Sequence, residues 1–179
     1  MTDVVVTGVG VVSAFGAGTA AFWDGLCAGR SALVPADGGG PRSGVVTGLE
    51  ARDVVRTAIG RRIDRASLFA LAAARGALAD AGLDDAEVAG DATGLVLGSA
   101  LGNLGEIPGF LDRLFDRGAG NPLVFPNMVM NAPLSYASIE LGVTGPTACL
   151  TEHAGSHVES YDERAPITTL QCLRTAAGA

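Results

Sequence analysis

A stretch in the last third of the chain, GVTGPTACLTEHAGS at 142–156, holds the residues with the greatest potential for covalent chemistry. Cys149 follows an apolar run and stands among the small residues that sharp turns need. Where a strand turns into a helix, the helix N-terminus lowers the pKa of a cysteine thiol and makes it a nucleophile. The neighbouring Glu152 and His153 have the groups for proton transfer, although two polar residues near a turn need no function. The stretch therefore leaves two interpretations of Cys149, a nucleophile or a buried strand residue.

Metal and cofactor sites have little support elsewhere in the sequence. Cys27, Cys149 and Cys172 lie far apart, and no CxxC or Cys/His ligand spacing occurs, so we expect neither a zinc site nor a disulfide framework. The helical spacing around Cys27 predicts a small core residue. Gly8 and Gly10 form a GxG, but a serine replaces the third glycine of the dinucleotide fingerprint. We expect no cofactor and no metal, and we interpret these glycines as positions of close backbone packing.

Alternating strand and helix patterns predict an α/β fold whose mostly buried sheet would position Cys149. The stretch DVVVTGVGVVSAFG opens with a β-branched run that predicts a buried strand. TGLVLGSALGN predicts a second buried strand that runs into a glycine-rich turn, and 45–49 predicts a short strand. Helices are predicted over TAAFWDGLCAGR with Gly29 as C-cap and over DRASLFALAAARGALADAG with Asp64 as N-cap and Gly82 as terminator. Two more are predicted, over 107–117 with Phe110, Leu111, Leu114 and Phe115 inward, and from Asn131 to Gly142.

Composition and charge exclude several classes of function. The net charge of −7 argues against general nucleic-acid binding, which depends on Lys and Arg neutralising phosphates. The sequence has no basic leader-like start and no uncharged apolar run of about 18 residues, so we expect no membrane segment and a cytoplasmic location. The last 23 residues, 157–179, contain no run typical of a strand and differ in character from the rest.

Four pieces in this order resemble the N-terminal half of a β-ketoacyl synthase, the condensing enzyme that works with acyl carrier protein. They are VVVTGVGVVSAFGAGTAAFWDGLCAGRSAL, RRIDRASLFALAAARGALADAGL, GLVLGSALGN and FPNMVMNAPLSYASIELGVTGP. The resemblance covers residues 3–156 and implies a thiolase-like αβαβα layered fold, usually dimeric. It also implies decarboxylative Claisen condensation, in which a cysteine holds the acyl chain as a thioester and two histidines activate the malonyl partner.

The resemblance places the family nucleophile in one of two registers. Aligned without a gap on Gly145-Pro146, the nucleophile position falls on Ala154, and Ser156 matches a serine of the family. Aligned on the literal TAC, Cys149 is the nucleophile, but five strand residues are then deleted and larger residues follow the cysteine. The ungapped register is favoured, and an alanine has no atom that can form a thioester.

A basic cluster at Arg61, Arg62 and Arg65 stands out against the acidic background. In the family, the residues that open this helix resemble the docking patch for acyl carrier protein, which is itself strongly acidic. Opposite charges speed and orient such encounters. The alternative is a solvated helix start, but arginines oppose the helix dipole there, which favours a docking origin.

The resemblance implies two domains of unequal character, a β-ketoacyl synthase N-terminal-like domain at 1–156 and an unmatched tail at 157–179. It also implies that the half bearing the two catalytic histidines is absent, since neither His153 nor His157 stands in their motif. We hypothesise that the tail is an out-of-frame end. The resulting expectation is an acyltransferase domain of fatty-acid or polyketide biosynthesis that is inactive alone. A second expectation is a non-catalytic, chain-length-factor-like partner of an active ketosynthase, in a homodimer or heterodimer.

Overall fold

A computed structural model describes residues 4–35, 39–58, 62–99, 102–150 and 168–174, the last range in its backbone only. The described elements are β1 (Val12–Ser13), β2 (Gly16–Ala17), α1 (Thr19–Cys27), α2 (Ala51–Val54), α3 (Arg65–Asp80), α4 (Asp85–Val88), β3 (Thr93–Ser99), α5 (Glu106–Arg117), a 3-10 helix (Phe125–Met128), α6 (Ala132–Leu141), β4 (Thr147–Leu150) and β5 (Thr168–Arg174). The predicted α/β architecture is confirmed. Within the described ranges, no helix combines the length and the apolar character needed to cross a bilayer.

The strand β3 lies at the centre of a three-stranded sheet, with β4 parallel on one side and β5 antiparallel on the other. Its burial alternates along its length, and Leu95 and Leu97 are fully buried. Strand β5 pairs with all seven residues of β3, so the expectation that 157–179 contains no strand is wrong. The apolar run TGLVLGS thus forms the predicted second strand and brings β4 alongside it.

Helices α3 and α6 pack against each other, and their buried residues share one hydrophobic core with Leu95 and Leu97 of β3. The predicted N-cap of α3 is confirmed, since the Asp64 carboxylate accepts a hydrogen bond of 2.9 Å from the Ser67 amide. Leu68, Leu71 and Leu78 are buried along one face, as their spacing predicts. The predicted ends are also confirmed, because Gly82 follows α3 and Gly142 follows α6 in the left-handed region that favours glycine. The buried leucines of α3 are part of the hydrophobic core.

A buried carboxylate on α6 joins distant parts of the core. Glu140 accepts hydrogen bonds from the backbone amides of Arg56 and Thr57 at 2.9 and 3.2 Å, and another from the Thr57 hydroxyl. Arg75 lies 3.6 Å from Glu140 and 2.9 Å from Asp85. Burial by itself raises the pKa of Glu140, but the Thr57 and Arg56 hydrogen bonds and the Arg75 charge outweigh it, so the pKa lies below its ordinary value.

The predicted opening strand is wrong over most of its length. Residues 4–11 form no strand, and Val4, Val5 and Val6 are 73–89% exposed. The segment lies instead against the α3 backbone. The contact is so close that a Cβ on Gly10 would come within 1.9 Å of the Ala73 carbonyl oxygen. The interpretation of the GxG glycines as close-packing positions is therefore confirmed. A β-branched run favours extended backbone but does not specify a neighbouring strand.

Three further predictions are corrected by burial and pairing. The expected strand at 45–49 is absent, and only an isolated bridge joins Val34 to Ser43 nearby. Cys27 is exposed at the end of α1 rather than buried. Helix α5 forms where predicted, but none of its residues is buried, and Phe115 is 81% exposed. Periodicity identifies the apolar face of a helix without identifying what covers it.

Candidate functional site

The parallel strands β3 and β4 end side by side, with Gly98 opposite Leu150. Cys149 lies one residue before this edge and is paired with Leu97. Paired residues of neighbouring strands share a face of the sheet, so the Cys149 side chain lies on the same face as the fully buried Leu97. The half-buried cysteine packs against the hydrophobic core.

The surroundings of Cys149 favour the neutral thiol. Its sulfur lies 3.6 Å from the backbone carbonyl oxygen of Met130, which accepts a weak S–H hydrogen bond. Burial raises the pKa of the Cys149 thiol above its ordinary value of 9.0. The negative end of the Met130 carbonyl dipole also faces the sulfur, and it disfavours a negatively charged thiolate. Nucleophilic cysteines have the reverse arrangement, with a lowered pKa and an electropositive environment. In this position Cys149 behaves as a small core residue.

The alternative nucleophile position lies outside the described residues. The range 151–167 includes Ala154, Ser156, the Glu152–His153 pair and His157. The assignment of Ala154 to the family nucleophile position therefore stays a prediction from the sequence.

The basic cluster lies just before and at the start of α3. Arg61 lies outside the described residues, whereas Arg62 and Arg65 are both exposed. Arg65 donates a hydrogen bond to the Val46 carbonyl oxygen, and its guanidinium lies 4.8 Å from the centre of the Phe69 ring. Within the described part of the chain, the Arg62 guanidinium makes no hydrogen bond or ion pair. Arg62 is thus the described arginine of the cluster that is most available to an external acidic group.

The buried side chain of Asn127 is hydrogen-bonded to the backbone of Arg62. The Asn127 side-chain amide donates a hydrogen bond of 2.8 Å to the Arg62 carbonyl oxygen, and the Tyr136 hydroxyl donates one of 2.5 Å to Asn127 Oδ1. Asn103 donates a hydrogen bond of 2.9 Å to the Asn127 carbonyl oxygen. None of these three asparagine and tyrosine residues is predicted from the sequence as part of a site. The available signal was a polar residue, Asn127, inside the apolar run VFPNMVM.

The order of these elements matches a known family. The model of the β-ketoacyl synthase N-terminal domain matches residues 1–158. The chain belongs to the β-ketoacyl synthase family. This confirms the family inferred by resemblance.

Curated β-ketoacyl synthases of two biosynthetic classes are similar to this domain. The granaticin polyketide putative β-ketoacyl synthase 1 of Streptomyces violaceoruber is 33% identical over 88% of this chain and 41% of its own. The 3-oxoacyl-[acyl-carrier-protein] synthase 2 of Synechocystis is 30% identical over 82% of this chain and 37% of its own. The chain thus spans about two-fifths of the length of these relatives.

Solved β-ketoacyl synthase structures share the fold of this domain. The ishigamide ketosynthase/chain length factor superposes with a TM-score of 0.70 at 26% identity, over 81% of this chain and 39% of the other. A β-ketoacyl synthase from Burkholderia phymatum superposes with a TM-score of 0.69 at 21% identity, over 83% and 39%. The predicted thiolase-like fold, N-terminal half, is confirmed by these superpositions.

Proposed function

We propose that this chain supplies the N-terminal domain of a β-ketoacyl-acyl-carrier-protein synthase-like acyltransferase of fatty-acid or polyketide biosynthesis, and that it does not itself hold the acyl chain. The family reaction forms a carbon–carbon bond between an enzyme-bound acyl thioester and a malonyl group that loses carbon dioxide. The family match and the relatives of both pathways support the domain assignment. A cytoplasmic location stays a prediction from the sequence.

The position of Cys149 carries the second part of the proposal. Its thiol is half-buried on the core face of β4, directed at a carbonyl oxygen, with a raised pKa. Thioester formation requires a thiolate that attacks the acyl carbonyl carbon and expels the carrier thiolate. Burial and the neighbouring carbonyl oxygen both oppose that charge at Cys149. In the ungapped register the nucleophile position is Ala154, whose methyl group cannot react.

Acyl loading tests this proposal. The full chain is incubated with an acyl thioester of acyl carrier protein, then analysed by intact mass and by peptide mapping before and after hydroxylamine, which cleaves thioesters. We expect no hydroxylamine-sensitive acyl group on Cys149 and the same result for Cys149→Ala. Ala154→Cys is the matched variant, and it should gain an acyl group mapped to residue 154. An acyl group on Cys149 that disappears in Cys149→Ala would overturn the proposal.

We further propose that Arg62, together with Arg61 and Arg65, binds an acidic acyl carrier protein. The exposed guanidinium of Arg62 makes no hydrogen bond or ion pair with the described residues, whereas Arg65 is partly engaged by Val46 and Phe69. Surface charge pairs act mainly on the association rate and are screened by salt. The effect of each arginine should therefore be largest at low ionic strength.

Charge reversal tests the carrier interaction. Arg62→Glu should slow the association of acyl carrier protein at low ionic strength, and added salt should reduce the difference from the parent. Arg117→Glu makes the same charge change outside the basic cluster, at the C-terminal end of α5. It should slow the association less than Arg62→Glu does. Equal association rates for the parent and Arg62→Glu would exclude the docking role.

A second candidate function is a non-catalytic partner subunit of an active ketosynthase. It is supported by the predicted alanine at the nucleophile position and by the similarity to the ishigamide ketosynthase/chain length factor. This candidate predicts co-purification with a full-length ketosynthase and a change in the chain length of that enzyme's product. An unchanged product distribution in the presence of this chain would exclude it.

A further inference from the structure

Asn127 makes a hydrogen bond at each of its four polar groups although it is only 6% exposed. Its backbone amide donates to Val124, and its backbone carbonyl accepts from Asn103. Its side chain donates to the Arg62 carbonyl oxygen and accepts from the Tyr136 hydroxyl. Every polar group of this residue is therefore engaged, which fixes both its backbone and its side chain.

The hydrogen-bond partners define the orientation of the Asn127 amide. The Arg62 carbonyl only accepts hydrogen bonds, so the nitrogen of the amide must face it. Oδ1 then faces Tyr136, whose hydroxyl must donate. The reversed orientation would place two acceptor oxygens against each other. Burial raises the pKa of Tyr136, the Asp64 carboxylate raises it further, and the Arg62 charge opposes both only in part, so the hydroxyl keeps its proton.

The hydrogen bond from Asn127 reaches Arg62 at its backbone, while the Arg62 side chain is exposed and makes no hydrogen bond or ion pair with the described residues. The backbone fixes the origin of a free side chain and the direction of its Cα–Cβ bond, and it limits the rotamers that the side chain can adopt. We propose that Asn127, held by Tyr136, is a positioning residue that fixes the Arg62 backbone so that the guanidinium faces the acidic carrier protein. This inference rests on the docking role of Arg62 proposed above.

The hydrogen bond from Asn127 restricts the backbone of Arg62, which lies far from it in the sequence. Asn127 and Arg62 are 65 residues apart, and no regular element includes Arg62, which precedes the first turn of α3. Without the amide, the Arg62 carbonyl would lose its described partner, and the residue would sample more backbone conformations. Fewer of those conformations would present the guanidinium correctly, which slows association without removing any charge.

A double-mutant cycle tests the inference on the full chain. The association rate of an apo acyl carrier protein is measured at low ionic strength for the parent, Asn127→Leu, Arg62→Ala and the double variant. Asn127→Leu keeps the side-chain shape and removes both hydrogen bonds. We expect it to slow association about two- to fivefold, which is the range of an exposed charge interaction. We expect no further slowing when Arg62 is already alanine.

Two further variants complete the experiment, a control at another asparagine and a milder change at Tyr136. Asn121→Leu changes another asparagine of the same segment, and it should leave the association rate unchanged. Among the described residues, Asn121 Oδ1 accepts a hydrogen bond from the Leu123 amide at 3.1 Å. Tyr136→Phe removes only the donor to Oδ1 and should give a smaller slowing that also depends on Arg62. If Asn127→Leu does not fold, as judged by circular dichroism, the same cycle is read with Tyr136→Phe.

The outcomes separate the two proposals. If Arg62→Ala leaves association unchanged, the docking role itself is refuted. If Arg62→Ala slows association but Asn127→Leu does not, or if Asn127→Leu slows it equally with and without Arg62, only the positioning role of Asn127 is refuted. Slowing that requires Arg62 supports the positioning role, because a general loss of stability would act in both backgrounds.

Discussion

The replacement Glu140→Gln tests how the buried carboxylate holds the core together. The side chain keeps its shape, but one of its two oxygens becomes an amide nitrogen. Glu140 accepts hydrogen bonds from the Arg56 amide, the Thr57 amide and the Thr57 hydroxyl, and these donors occupy both oxygens. An amide nitrogen must therefore face at least one donor, and the charge that attracts Arg75 is lost.

The expected cost follows from the contacts that remain. Breaking a buried ion pair costs about 3–5 kcal/mol when the remaining charge has no partner. Arg75 keeps Asp85 at 2.9 Å, so its charge stays paired. The loss of one hydrogen bond to a charged group costs about 1.5–3 kcal/mol. We expect the free energy of unfolding to fall by about 3 kcal/mol, which lowers Tm by about 6–12 °C at roughly 2–4 °C per kcal/mol.

Urea unfolding at neutral and acidic pH measures this effect and its sign. The lowered pKa of Glu140 means that its ionised form stabilises the fold fully above its ordinary value of 4.5 and that this stability is lost as the pH falls below it. The difference in free energy of unfolding between the parent and Glu140→Gln should therefore become smaller at acidic pH. Glu50→Gln is the control, since Glu50 is exposed and makes no side-chain cap hydrogen bond. A cost at neutral pH as small as that of this control, about 0.5 kcal/mol or less, would refute the reasoning.

Two further predictions concern the packing of α3 and its neighbours. Asp64→Ala removes the cap that accepts from the Ser67 amide and should lower the free energy of unfolding by about 1 kcal/mol, seen as a lower urea midpoint at an unchanged slope; an unchanged midpoint would contradict it. Gly10→Ala places a methyl group 1.9 Å from the Ala73 carbonyl oxygen and should lower Tm, whereas Gly109→Ala, with open space around its Cβ in α5, should raise Tm. A Tm for Gly10→Ala equal to that of the parent would show that the opening segment does not lie against α3.

Local signals in the sequence predict the helices and the central strand well. The Asp64 cap, the Gly82 and Gly142 terminators and the apolar run of β3 each act within a few residues, so the sequence holds all the information that they need. The family resemblance depends on the order of such pieces and is confirmed by the match over residues 1–158.

Features that depend on a distant neighbour could not be predicted in the same way. The opening valines favour extended backbone, but pairing requires a strand edge, and the structure places the glycines of this segment against the α3 backbone instead. The apolar residues of α5 have the predicted spacing, yet Phe115 is exposed because spacing does not supply a covering layer. The Asn127 contact with Arg62 joins residues far apart in the chain, and only the fold brings them together.

The pH dependence of Cys149 alkylation tests the central claim most directly, because it measures the ionisation of the sulfur atom in the folded chain. Iodoacetamide labelling is followed by peptide mapping, with the exposed Cys27 as an internal reference. We predict that Cys149 reacts more slowly than Cys27 at pH 7 and that its rate is still rising as the pH passes 9.0, because the rate levels off only above the raised pKa. Rapid labelling of Cys149 at pH 7, faster than that of Cys27, would reveal an activated thiolate and would contradict the account.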